Sequence, residues 1–416
     1  MHHIKISNFG PIEECDMDVN QFTVLTGPQA SGKSTIAKAV YFFRTIKDDI
    51  LDLILKNKDQ TSLKEVLKKH LIKKLGSLYG MAIGEIAQAK LEYIYAEDTF
   101  IGIYVTSYVG DANVANFDFG KKIDDFFNDK SDLKYPIDEK TKNKLSEELT
   151  GIFQDDTETI YIPAGRMAVS LLSEQLNYIL MSMEDTQRQT IDYCVRKYFE
   201  LVLKIKSWCD KINPAIKGRS ELNTAIGEFY EKIIKAEYIC RNSEEHLIFG
   251  DSQSVKLNFA SSGQQEAVWI LNILAYFSAE NKKVFLIVEE PEAHLYPKSQ
   301  MYMTDGIALF VGGGDNAGLI TTHSPYILGE LNNLILCGQA ENDGIDINSI
   351  KKASDIDDNA WLKKDVLQAF HAINGNCDNA LTESGLIMNE LIEGASEKID
   401  DKCSALIDLF HGEDDK

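Results

Sequence analysis

The chain has 416 residues, 44% of them hydrophobic and 9% aromatic, enough to bury one large core with a smaller attachment. A formal net charge of −22 disfavours tight non-specific binding of nucleic acid by the whole surface, and no run of ~18 apolar residues is present to span a membrane. The seven cysteines are scattered, which excludes a C-x-x-C metal or redox motif and suits reduced thiols in a cytoplasm.

In chain order, Ile4–Ile12 reads as a short alternating strand broken at Gly10-Pro11, and Phe22–Thr26 as a buried strand. Gly27-Pro28-Gln29-Ala30-Ser31-Gly32-Lys33-Ser34 then fits G-x-x-x-x-G-K-[ST] at every fixed position, and a helix follows from Thr35 to Phe43. Such a loop wraps main-chain N–H groups around the phosphates of a nucleoside triphosphate at a helix N-terminus, with Thr35 closing the run. Gly27 and Gly32 permit the tight path, Lys33 would reach the β- and γ-phosphates, and the Ser34 hydroxyl would ligate Mg²⁺. Amphipathic helices continue to about Leu75. Within them Lys64–Lys74 alternates lysine with apolar residues, and we read it as a solvated helix face in preference to a nucleic-acid strip.

Lys90–Ala96 and Phe100–Tyr108 form an expected hairpin about Glu97-Asp98, and 121–150 reads as helical. Thr159–Pro163 is a strand ending in Ala164-Gly165-Arg166. From Val169 to Lys235 the pattern is helical, too short and irregular for a long coiled coil. Val255–Phe259 alternates like a strand, Gly263–Phe277 is a helix, Val284–Val288 a buried strand and Pro297–Phe310 a helix. Leu319–Thr322 is a short strand, Pro325 opens a helix, and the tail from about Ala340 reads as acidic and mostly helical. Strands alternating with helices predict an α/β fold with a sheet covered on both faces.

The apolar run Val284–Val288 ends in Glu289 and Glu290, at the strand end where α/β sheets present ligands. Glu289 would hold Mg²⁺ through water, and Glu290 would polarise the attacking water. Ser261, Ser262, Gly263 and Gln264 open a helix and offer a second set of main-chain amides for a phosphate. His323, just past a strand, would contact the γ-phosphate.

Gly27–Ser34, Ser261–Gln264, Val288–Pro297 and Thr322–Ser324 resemble the Walker A, signature, Walker B/D-loop and switch motifs of ABC-type ATPases. The Glu289-Glu-Pro-Glu-Ala-His-Leu295 run and the opening strand are similar to the soluble branch that includes RecF, SMC-like heads and OLD-family proteins. The likeness covers roughly 1–45 and 155–335. Glu289 departs from the usual aspartate, and Ala260 and Ser262 depart from the usual signature. The Q-loop has no clear counterpart: Gln154 is a weak candidate, and Arg166 is another residue for that region.

The resemblance implies an ABC-type ATPase head with a compact helical insertion and a helical C-terminal tail. We divide it as 1–168 and 251–339 for the two parts of the ATPase, 169–250 for the insertion and 340–416 for the tail. It implies ATP and Mg²⁺ as ligands and a homodimer that sandwiches two nucleotides, each signature facing the other protomer's phosphate loop. OLD-family proteins follow the ATPase with a TOPRIM nuclease. The Asp355-Ile-Asp357 run follows polar residues rather than a buried strand, so no nuclease is expected here. What remains is similar to the ATPase subunit of anti-phage systems such as PARIS: a cytoplasmic sensor, with no membrane contact, that controls a separately encoded effector and answers a phage trigger protein. A RecF/SMC-like DNA-binding ATPase is the alternative.

Overall fold

The computed structural model describes residues 2–56, 62–80, 88–106, 114–130, 135–172, 191–206, 208, 221–241, 244–250, 253–312, 315–363, 365–392, 394, 398 and 400–404. The chain opens with the antiparallel strands His2–Phe9 (β1) and Ile12–Val19 (β2), followed by Phe22–Thr26 (β3). Helices Lys33–Arg44 (α1), Ile46–Lys56 (α2) and Leu63–Tyr79 (α3) come next. The expected hairpin is present as Lys90–Ala96 (β4) and Thr99–Thr106 (β5), extended by Val114–Phe119 (β6). Lys121–Asp129 (α4) and Glu139–Phe153 (α5) lead to Glu158–Ile162 (β7).

Met167–Leu172 (α6), Tyr193–Lys206 (α7) and Glu221–Phe229 (α8) belong to the expected helical stretch, whose residues 173–190, 207 and 209–220 lie outside the described ones. A small separate sheet follows: Glu237–Arg241 (β8), Glu244–Phe249 (β9) and Gln253–Lys256 (β10). Leu257–Phe259, read as the end of a strand, is instead a single 3₁₀ turn. Ser262–Glu280 (α9), Val284–Glu289 (β11), Pro297–Gly312 (α10), Ala317–Thr322 (β12) and Pro325–Asn342 (α11) complete the ATPase-like part.

The C-terminal region adds two strands to the expected helical tail, whose described residues 389–392 and 400–404 are helical. After one short helix, Ile347–Ser354 (α12), the chain forms Leu367–Ile373 (β13) and Asn376–Asn379 (β14). Asn374 and Gly375 both have positive φ (49 and 81), the backbone of a tight hairpin turn, and an Asn-Gly pair adopts it readily. β13 lies parallel to β3, and β14 lies parallel to β2. The main sheet therefore runs β6-β5-β4-β1-β2-β14-β13-β3-β12-β11-β7. β13 and β14 thus join the first hairpin to β3, β12 and β11.

β3 and β11 are buried along their whole length, as strands covered on both faces must be. Successive residues of β3 feed different cores: Phe22 and Val24 pack with α9 and α10, while Leu25 packs with α1. Register brings the strand ends level, with Thr26 opposite Thr322 and His371, and Glu289 opposite Thr321.

Candidate functional site

The turn from β3 into α1 is shaped by two glycines under steric demand. Gly27 has φ 141, and a Cβ there would stand 2.2 Å from the Ala372 carbonyl oxygen of β13. Gly32 has φ 99, and a Cβ there would meet Ile12 Cδ1 at 2.2 Å. Gly32 also caps α1 without any side-chain hydrogen bond, so the first N–H groups of that helix remain available to an anion. Ala30 has φ 61, and Pro28, Gln29, Ala30 and Ser34 are exposed at the rim. Tyr79 donates to the Thr35 carbonyl (3.0 Å), fixing the first turn of α1.

Lys33 is buried, and its Nζ donates to the carbonyls of Gly27 (2.8 Å) and Pro28 (2.7 Å). Burial lowers its pKa, against the pull of Glu290 and Glu292, whose carboxylates favour the ammonium. The Ser31 hydroxyl is enclosed without a partner.

Two strands away, Glu289 closes β11 at 6% exposure. Its Oε2 accepts from the Ala164 N–H (3.1 Å), and its Oε1 has no partner. Glu290 turns off the strand with φ 43, its N–H bonded to the Thr321 carbonyl (2.9 Å). Glu292, to which the motif reading gave no role, is 4% exposed. Its Oε1 accepts from the Thr322 hydroxyl (2.7 Å) and the His323 N–H (2.8 Å), while Oε2 has no partner. His323 Nδ1 stands 3.7 Å from Glu290 Oε1 and 3.5 Å from Glu292 Oε1. The signal in the sequence was a third acid beside Glu289-Glu290, two positions on.

Gly27–Ser34, Glu289, Glu290 and His323 thus gather at the ends of the adjacent parallel strands β3, β12 and β11. Buried oxygens of Ser31, Glu289 and Glu292 lack partners there, and uncapped helix amides lie beside a lysine. That set fits a triphosphate, and the all-oxygen pair Ser34 and Glu289 suits Mg²⁺.

Ser261, Ser262, Gly263 and Gln264 form a separate feature. Ser261 caps α9, and Gln264 Oε1 accepts from the Ser261 N–H (3.2 Å) in a capping box. Gln264 Nε2 donates to the Ile234 carbonyl (2.8 Å), so this side chain has a structural task. A Cβ at Gly263 would lie 2.6 Å from the His294 carbonyl oxygen, in the loop after β11. Among the described residues, no hydrogen bond or ion pair joins this run to the Gly27–Ser34 loop.

Gln154 is not at the site. It caps the C-terminus of α5 with φ 48, beside the buried Arg44–Asp155 ion pair (2.9 Å) and next to His2. Arg166 reaches the site from the end of β7, donating to the carbonyls of Glu289 (2.6 Å) and Glu290 (2.9 Å). The lysine strip is largely engaged within the chain. Lys64 pairs with Asp124 (2.6 Å), Lys68 with Glu65 (2.8 Å), and Lys74 is buried against Asp49. Asp355 and Asp357 cap short helical turns.

Among solved structures, the chain is similar to an Smc head bound to the C-terminal winged-helix domain of ScpA (11% identity, TM-score 0.41, 91% of this chain and 96% of that chain). It is similar to the Smc head domain with an extended coiled coil bound to the C-terminal domain of ScpA from Pyrococcus furiosus (11%, TM-score 0.39, 96% and 100%). It is also similar to the SMC head domain from Thermotoga maritima (11%, TM-score 0.36, 92% and 98%). All three likenesses are remote. No curated protein matches the chain. Residues 1–328 match the family model described as AAA ATPase domain, and the chain belongs to that family.

Proposed function

We propose that the chain is a Mg²⁺-dependent ATPase that works as a homodimeric clamp and controls a separately encoded effector in bacterial defence against phage. The observation that carries the catalytic half is the meeting of Lys33, Glu289, Glu290 and His323 at neighbouring strand ends, with buried oxygens left unpaired. Lys33 exchanges the Gly27 and Pro28 carbonyls for the β- and γ-phosphates. Ser34, and Glu289 through water, would hold Mg²⁺, which would supply neutralising charge to the triphosphate. Glu290 takes the proton of the attacking water. His323, its main chain anchored by Glu292, contacts the γ-phosphate. Ser261–Gln264 of one protomer closes on the nucleotide of the other.

The effector half is supported by resemblance and by charge: a body at −22 suits a basic protein partner better than DNA. Cells expressing this chain with its neighbouring gene should resist phage, cells expressing it alone should not, and Lys33→Ala should abolish the resistance. Resistance from the chain alone would contradict the division of labour. Tight DNA binding at physiological salt would turn the reading toward a RecF/SMC-like clamp.

A further inference from the structure

Arg166 is among the largest side chains fully enclosed in the fold, at 1% exposure. Its donors are spread over several elements. Nη1 donates to the carbonyls of Pro163 (3.0 Å) and Glu289 (2.6 Å), and Nη2 to that of Glu290 (2.9 Å). Nε stands 3.1 Å from Glu266 Oε2, an ion pair not aligned as a directed hydrogen bond. Glu266 belongs to the second turn of α9, is itself 1% exposed, and accepts from the Met167 N–H through Oε1 (3.1 Å). Burying such a pair strips both charges of their hydration, so it makes a weak device for stability alone. A planar fork with five donors can serve several acceptors at once, and an ammonium cannot reproduce that geometry.

Two of the oxygens Arg166 holds flank the point where the chain leaves β11. Glu290 has φ 43 there, a conformation that non-glycine residues keep only when their surroundings over-determine it. Those surroundings act from both sides: the Thr321 carbonyl takes the Glu290 N–H, and Arg166 holds the Glu290 carbonyl. Arg166 is in turn tied to Glu266, two residues after Gln264 on the helix that Ser261 caps.

We infer that Arg166 is a positioning residue of the hydrolytic site, holding Glu290 in its left-handed conformation and joining it, through Glu266, to the Ser261–Gln264 end of α9. Displacement of that helix end by a phosphate or a partner is passed to Glu290 through one guanidinium. This rests on Glu290 being the general base.

The test compares Arg166→Lys and Glu266→Gln in the full chain, with steady-state ATP hydrolysis and equilibrium binding of a fluorescent ATP analogue measured separately. Either variant should lose about 10–100-fold in kcat, the scale of a misplaced catalytic group. Affinity for the analogue should stay within roughly threefold, because neither residue touches Gly27–Ser34. In a Glu290→Gln background, Arg166→Lys should leave the residual turnover unchanged, a result that general loosening of the fold would not give. Unchanged kcat, a parallel loss of analogue binding, or a further fall in the Glu290→Gln background would overturn the inference. If Arg166→Lys does not fold, the nearly isosteric Glu266→Gln carries the test. Wild-type hydrolysis that survives Glu290→Gln would instead refute the assignment of Glu290 itself.

Discussion

Replacing Gly27 by alanine asks for a side chain where β13 already stands. The added Cβ would lie 2.2 Å from the Ala372 oxygen and 3.1 Å from the Ala372 carbonyl carbon, at a φ of 141. Both are main-chain atoms of a strand hydrogen-bonded to β3 on one side and β14 on the other, so no flexible group can give way. Holding an L-residue in such backbone costs ~1–3 kcal/mol, and the forced repacking another ~1–3 kcal/mol. The chain relieves the overlap by moving the loop on the order of 1 Å, and an error of that size at a binding loop costs on the order of 10²-fold in rate. Gly80→Ala is the control: φ is 65 with nothing within 4 Å, which leaves only a conformational cost of about 1–2 kcal/mol. Gly27→Ala should therefore melt below Gly80→Ala in differential scanning fluorimetry and bind a fluorescent ATP analogue at least ~10-fold more weakly. Wild-type affinity, with melting no lower than that of Gly80→Ala, would refute the claim that Ala372 fixes the loop.

Glu290→Gln should keep nucleotide binding and lose on the order of 10²-fold or more of turnover; wild-type turnover removes Glu290 from its role. Ser261→Arg tests the composite site without the clash that any Cβ at Gly263 would make with His294. It should spare analogue binding by single protomers and block an ATP-dependent dimer, and mixing with Lys33→Ala subunits should restore some hydrolysis in mixed dimers that keep one complete site. Mixtures that exchange subunits yet stay inactive would count against the arrangement. Asp305, enclosed between α10 and α11, is pushed up to about 8 by burial first and by the nearby Glu330 second. Folding thus takes up a proton from pH about 4 to about 8, so this group's stabilisation is fully present below the unfolded carboxyl value and lost as pH rises through about 8. Asp305→Asn should raise the melting temperature more at pH 8 than at pH 5; an equal change at both pH values would show that Asp305 ionises normally in the fold.

The parts legible in the sequence were those that local spacing encodes. The phosphate loop needs its glycines, lysine and serine at fixed steps between a strand and a helix, and Val284–Val288 announces a strand with Glu289 and Glu290 at its end. What escaped depends on distant pairing. β13 mixes apolar residues with Gln368 and His371 before an Asn374-Gly375 turn, and nothing local says that it pairs with β3. Arg166 is legible as a candidate near the Q-loop region but not as a link to Glu290, because its partners are mainly main-chain oxygens, which leave no side-chain pattern to read. Gln264 shows the opposite case: a motif residue that is bound into the capping of its own helix and to Ile234.

The proposed nucleotide site is held from two sides by different parts of the chain. On the loop side, Gly27 abuts Ala372, Gly32 abuts Ile12, and the Gly375 carbonyl takes the N–H groups of Glu13 (2.8 Å) and Glu14 (3.1 Å). The first hairpin, β13 and β14 thereby brace the Gly27–Ser34 loop. On the acid side, Arg166 and Glu266 join β7, β11 and α9 around Glu289 and Glu290. Between them runs β12, whose Thr322, with His323 just beyond the strand, is held by Glu292. A triphosphate touching both Lys33 and Glu290 would bridge the two supports, so its binding energy is available to pull them into register. Damage on the loop side should then weaken binding first, whereas damage on the acid side should leave binding nearly intact and slow the chemistry. On the proposed assignment, affinity and turnover rest on separate structural supports.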